Sequence, residues 1–227
     1  QPKWIDKLVA EDRCHLNGLA VADGQVKYLT AHGDSNERQG WRENKRDGGV
    51  IIDFDSGEVI SRGLAMPHSP RLYANRLFVL DSGRGELQVV DTDSGKRDTV
   101  CRLPGFTRGL TFHDRFAFVG LSMIREKKEF GGLPLEEWID RPRCGVFAVN
   151  LETGRPAGFL EFEAGAEELF DVQVLRGLNR PQVIGFQKRT LDGIFIVPPE
   201  VTQAAVEPDP ANAPPTAGEV ESDTDDE

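Results

Sequence analysis

"IIDFDSGEVI" (51–60), "VVDTDSGKRD" (89–98) and "AVNLETGRPA" (148–157) carry one pattern three times. In each, an apolar pair meets Asp or Asn, and an acid, Ser or Thr, and Gly follow. Gly57, Gly95 and Gly154 stand where the chain must reverse, because glycine enters φ > 0 at little steric cost. Each stretch therefore reads as a hairpin between two strands. Gly57 and Gly95 are 38 residues apart, and Gly95 and Gly154 are 59 apart. The shorter interval lies close to the roughly 40–45-residue period of a four-stranded propeller blade.

Working outward, a second pattern precedes each hairpin. "NGLAVADGQVKYLTA" (17–31), "SPRLYANRLFVLDS" (69–82) and "RGLTFHDRFAFVGLS" (108–122) align as strand, tight turn, strand. β-Branched and aromatic residues dominate "RLFVLD" and "RFAFVGL", as in strands buried on both faces. "ELFDVQVLRG" (168–177) reads as the first strand of a fourth unit. An insertion at 123–143 accounts for the longer interval, and its "LPLEEWIDR" (133–141) is the one amphipathic helical candidate. The expected fold is an all-β propeller with about four blade-like units, incomplete at its N-terminus, and a β-sandwich is the alternative. The chain opens Gln1-Pro2-Lys3 without an initiator methionine, which with about four visible units fits blades encoded upstream of Gln1.

The chain has 227 residues and a formal charge of −11. Nine acids and no Lys or Arg fall from Glu200 onward, so removing them leaves −2 for residues 1–199. The reading is a propeller-like domain over 1–199 and a disordered, acidic, Pro-rich tail over 200–227. No stretch approaches the roughly 18 consecutive apolar residues of a membrane helix. No basic stripe marks a nucleic-acid surface. Cys14, Cys101 and Cys144 are dispersed and form no CxxC. They read as small buried hydrophobes in a reducing, cytoplasmic compartment.

In a propeller, the residues just before each innermost strand gather on one rim. Here those are His15–Asn17, His68–Arg71, Thr107-Arg108 and Glu168–Asp171. "GLAMPHSPRLY" (63–73) sets His68 between two prolines, which bias Met66 and Ser69 toward extended backbone and stiffen the loop. Each rim residue also has an architectural reading. His68 can bond a loop carbonyl, Asn17 can make a turn, and Arg71 and Arg108 can bridge to Glu168 or Asp171. His113 sits on a hairpin turn, in solvent. The loop "DSNERQGWRENKRDGG" (34–49) is either a charged solvent face or a lid, with Trp41 beside Arg42. No GxxxxGK[ST], HExxH or GxSxG motif is present, so no catalytic or cofactor motif stands.

The strings "EDRCHLNGLAV", "GGVIIDFDSGEVI", "GLAMPHSPRL", "LDSGRGELQVVD", "LPGFTRGL", "FVGLSMIRE", "RCGVFAVNLETG" and "ELFDVQVL" together resemble one family. It is a set of mostly bacterial conserved hypothetical proteins, domain of unknown function 4915, and the resemblance covers residues 4–177. That family is longer at its N-terminus and has no established activity. Where it continues with Pro-Gly after "FDVQVL", this chain has Arg176-Gly177-Leu178. The resemblance singles out His15, Asn17, Trp41, Arg42, His68, Ser69, Arg71, Arg108 and Asp171 as positions matching the family's motifs.

Two functional classes fit. In the first, the rim arginines and Trp41 bind a small anionic or carbohydrate ligand, since guanidinium forks match carboxylate and sulfate geometry. In the second, the chain is a metal-dependent hydrolase. "LNGLAV" is similar to the Asn-Gly-Leu stretch of gluconolactonase-type propellers, where an Asn helps hold a divalent cation. That resemblance implies Asn17, Asp171 and Glu168 as oxygen ligands and His68 as a proton relay. The binding module is the preferred class.

Overall fold

Each of the three repeated endings closes the same way. In a computed structural model that describes residues 2–123 and 131–178, Gly57, Gly95 and Gly154 take φ of 68°, 71° and 66°. Their amides donate to Asp53, Asp91 and Asn150, four residues back, at 2.8–2.9 Å. The side chains of those same residues accept further turn amides, from Ser56, from Asp93 and Ser94, and from Glu152 and Thr153. The leading Asp or Asn thus satisfies the turn while glycine reverses it. Each of the three hairpins is locally encoded.

Around these hairpins the chain builds three four-stranded antiparallel meanders. The first comprises β1 (Leu16–Ala22), β2 (Gln25–Ala31), β3 (Gly49–Asp53) and β4 (Val59–Leu64). The second comprises β5 (His68–Tyr73), β6 (Arg76–Asp81), β7 (Glu86–Val90) and β8 (Arg97–Arg102). The third comprises β9 (Phe106–His113), β10 (Phe116–Ser122), β11 (Gly145–Asn150) and β12 (Arg155–Glu161). Within every sheet the strands follow chain order, and β1, β5 and β9 adjoin. Blades whose first strands meet at a common centre are the propeller arrangement. All of this lies within one compact unit, residues 1–176.

Apolar side chains fill the spaces between blades. Ala20, Ile51 and Leu64 meet Leu77, Val79 and Val90 between the first two. Phe78, Leu80 and Leu87 meet Leu110, Val119, Leu121 and Phe147 between the second and third. At roughly 1.5–3 kcal/mol per fully buried large apolar side chain, these layers supply the main adhesion between blades. Cys14, Cys101 and Cys144 are buried and unpaired. Among the described residues, no helix is long and apolar enough to cross a membrane.

Three local expectations are corrected. Residues 168–177 form no strand. They run beside the third blade, where Met123 donates to the Glu167 carbonyl and the Ser122 hydroxyl pairs with both backbone groups of Leu169. A side-chain pairing of this kind is not a ladder, so the fourth unit is represented only by the path of its first segment. The helical candidate at 133–141 is a single 3₁₀ turn, Pro134–Glu137, opened by Pro134. Leu133 and Leu135 are drawn inward against Trp41, Met66 and Phe106. Met66 and Ser69, expected to be extended before their prolines, have φ of 52° and 50°. The tail at 200–227 and part of the insertion, 124–130, lie outside the described residues.

Candidate functional site

Every blade bulges at the same place in its first strand. The register slips at Asn17 in β1, between His68 and Arg71 in β5, and opposite Val119–Leu121 in β9. A bulge carries one unpaired residue and re-aims its side chain. The unpaired residues reach the next blade. Asn17 donates from Nδ2 to the Pro67 carbonyl at 2.9 Å and accepts the Thr30 hydroxyl at 2.7 Å. The Ser69 hydroxyl accepts the Gly109 amide at 3.0 Å. Ser69 at φ > 0 costs of order 1–3 kcal/mol, offset by this inter-blade bond and the packing that holds it. Asn17 and Ser69 act as straps between blades.

The arginines continue the strapping. Arg71 donates to the Leu19 and Pro70 carbonyls and faces Asp171 at 3.5 Å. Arg108 faces Glu168 at 3.5 Å and lies 4.3 Å over the Phe170 ring. Asp171 is also held by the Val172 amide and by Gln173. The bridging alternative for both arginines is therefore what the geometry contains. Asn17, Glu168 and Asp171 all have protein partners. Among the described residues, no group of three or more His, Cys, Asp or Glu side chains is placed to hold a metal ion.

Four other aromatic side chains converge just before the central strands. His15 stacks on His32 with ring centroids 4.4 Å apart and planes inclined by 21°. His32 meets His68 edge-on at 4.9 Å and Trp41 at 5.0 Å, and Trp41 meets His15 at 4.9 Å. Phe106 closes the row 5.5 Å from His68. Asp12 ties the outer end together by accepting from both Trp41 Nε1 and His15 Nδ1 at 2.9 Å. Trp41 is 3% exposed, so it is a wall of this cluster and not a lid. The reason is the insertion, whose Leu133 and Leu135 pack beside Trp41, and Arg46, which joins loop 34–49 to Gly132 and Glu137. Arg42 lies 4.8 Å over the Trp41 ring.

The sequence reading did not single out His32, yet His32 is the least satisfied member of the cluster. It is 2% exposed, and neither ring nitrogen has a hydrogen-bond partner among the described residues. Burial pushes its imidazole well below the usual histidine range, and His68, His15 and Arg108 add to the effect. His68 is pushed down to about 3, first by burial and then by Arg108. Both rings are therefore neutral at physiological pH. His68 Nδ1 lies 3.0 Å from the Met66 carbonyl and 2.9 Å from the Ser82 hydroxyl. A carbonyl only accepts, so Nδ1 carries the proton and Nε2 is left as an acceptor.

A buried carboxylate fixes the loop that presents His68. Asp81 accepts the Ala65 amide at 2.7 Å, and the Gly83 amide returns to the Ala65 carbonyl at 2.8 Å. A Cβ on Gly83 would stand 2.7 Å from the Ala65 methyl, so the two segments touch through backbone. These bonds, with Ser82, fix the turn in which Met66 is left-handed, and the Gly109 amide holds Ser69, both against the bias of the prolines. Of the nine residues expected at the site, His15, Trp41, Arg42 and His68 gather in the ring cluster. Asn17, Ser69, Arg71, Arg108 and Asp171 form the straps.

Bulged central strands and sequential meanders define an all-β, propeller-like protein with a polar aromatic cluster at one end of its innermost strands. The chain belongs to the family described as Domain of unknown function (DUF4915), whose model matches residues 1–184. No curated protein matches it. Among solved structures it is similar to the computationally designed Ika4 protein, with TM-score 0.42 and 11% identity, over 75% of this chain and 84% of that one. The designed Ika8 protein gives TM-score 0.42 and 11% identity, over 70% of this chain and 40% of that one. Dihydro-heme d1 dehydrogenase NirN, in complex with DHE, gives TM-score 0.40 and 18% identity, over 69% of this chain and 29% of that one. The chain thus spans less than half the length of Ika8 and of NirN, and at these scores the likeness carries no functional weight.

Proposed function

We propose that this chain is a binding module that takes a small anionic or carbohydrate ligand at the histidine–tryptophan end of its central strands. The observation that carries the reading is His32. Two imidazole nitrogens are buried there without partners among the described residues. An unsatisfied buried polar group costs about 1–3 kcal/mol. Such a cost is tolerated at a site where a ligand supplies the missing bonds. Arg108, whose charge reaches His32 and His68, and the exposed ring of His15 complete the surroundings. The hydrolase reading draws on no comparable observation, because the Asn17 carboxamide is committed at both ends.

The test is ligand-observed saturation-transfer NMR with one mixture of monosaccharides, citrate and sulfate analogues bearing observable protons. Signal transfer to at least one component is expected with the wild-type chain and falls sharply with His32→Leu. No transfer to any component with folded wild-type protein overturns the reading.

A further inference from the structure

We infer that the ligand of the histidine end is an uncharged carbohydrate, read through its hydroxyls by His32 and His68, and not an anion. This rests on the reading that a ligand binds there. Two independent observations separate the two classes.

The first is the balance of charge. The guanidinium that acts on both buried imidazoles is Arg108, and Glu168 already faces it at 3.5 Å while Phe170 covers it. Arg71 meets Asp171 at the same distance. At the outer end, Asp12 brings a carboxylate to Trp41 and His15, and Arg42 lies over the Trp41 ring. Arg108 is thus set against Glu168, and Asp12 adds a carboxylate at the other end of the cluster. A sulfate or carboxylate entering here must displace an acidic side chain or be buried without a matching charge, which is costly. An uncharged ligand meets neither obstacle.

The second is the pattern of open hydrogen-bonding positions. A neutral imidazole offers one donor and one acceptor. His32 has both open, and His68 adds the acceptor at Nε2, since its Nδ1 proton is held by Met66 and Ser82. One donor and two acceptors suit adjacent hydroxyls, each of which both donates and accepts. Carboxylate and sulfate only accept, so they would find a single N–H and two repelling lone pairs. Trp41 and Phe106 flank the two imidazoles on their apolar sides. His15, with 41% of its side chain exposed, lies over His32 and must move aside to admit the ligand.

The experiment titrates protein labelled with ¹⁵N-histidine separately with glucose, galactose, mannose and N-acetylglucosamine, and with sodium sulfate and citrate. His113, at the opposite end of β9, is the internal control. At least one sugar is expected to shift the His32 and His68 ring signals but not His113. Its affinity should change by less than about twofold between low and high sodium chloride, because screening acts on charged ligands. His32→Leu should weaken it about tenfold, the scale of one or two neutral hydrogen bonds. If sulfate or citrate shifts these rings with salt-sensitive affinity and no sugar does, the carbohydrate class is overturned and the site survives. If no probe shifts either ring, both the class and the site reading are overturned. Should His32→Leu fail to fold, the wild-type titrations and their salt dependence still decide.

Discussion

Two buried polar clusters lie within the same blades and are built on opposite terms. Around Asp81 every charge is answered. Asp81 accepts from Ala65, Arg84 and Gln88, and Glu86 accepts from Gln88, Thr99 and Arg102. Arg97 crosses to the first blade, where it donates to Ser61 and to the Arg62 carbonyl. Around His32 the opposite holds, since its two nitrogens have no partner among the described residues. A satisfied buried network rigidifies a fold, whereas open valences are costly unless something else fills them. The first cluster is architecture, and the second has the properties of a site.

The largest expected effect comes from breaking the satisfied cluster. Asp81→Ala strips the Ala65 amide, Arg84 and Gln88 of their acceptor and should cost about 3–5 kcal/mol, measured by urea unfolding. A loss below about 1 kcal/mol would mean that the network is not holding the blades. Next comes acid. His32 and His68 have folded values below the ordinary histidine value, so the unfolded chain binds more protons below about pH 6.5. Their contribution is complete above that pH and is lost as pH falls, by up to about 1.4 kcal/mol per pH unit for each ring.

Asp81 runs the other way. Burial raises its carboxyl to about 6, above its unfolded value near 4, so its contribution is present at low pH and lost as pH rises through 6. Glu86 opposes Asp81. Burial works against its ionisation, but bonds from Arg102, Gln88 and Thr99 hold it below the usual range, so its contribution is lost on acidification. Between pH 7 and pH 5 two imidazoles outweigh one carboxylate, so the unfolding midpoint should fall across that range, and the loss from Glu86 follows only below about pH 4.5. A flat profile would show that the imidazoles are solvated.

The comparison is sharpest at His32→Leu. Removing a buried ring whose nitrogens have no hydrogen-bond partner among the described residues should leave stability unchanged or raise it by about 1 kcal/mol, even as ligand binding weakens about tenfold. Destabilisation by more than about 2 kcal/mol would assign His32 to the architecture. The smallest effect is expected for Asp171→Asn. Its ion pair with Arg71 is half exposed, so the unfolding free energy should move by less than about 1 kcal/mol.

What could be read in advance divides along the same line. The hairpins at Gly57, Gly95 and Gly154 are legible because Asp or Asn, Ser or Thr and Gly complete each turn within five residues. The tight turns between strand pairs are local too, with Asp23-Gly24 and Ala74-Asn75 both at positive φ. The convergence of His15, His68 and Arg108 followed from the blade period. Met66 and Ser69 depart from the extended backbone their prolines predict because Asp81 accepts the Ala65 amide and the Gly83 and Gly109 amides donate to Ala65 and Ser69, all across the sequence.

Local chemistry accounts for the turns, the strand pairs and their repetition, and through them for an all-β, propeller-like chain. Which polar side chains are answered and which are not depends on packing between blades. His32 ends "KYLTAH" with no motif to mark it. It becomes a candidate because His15, Trp41 and His68 close around it, with Phe106 and the insertion's two leucines walling the same row. Those contacts gather residues from His15 to Leu135. Burial without a partner is a property of that packing, and no local pattern encodes it.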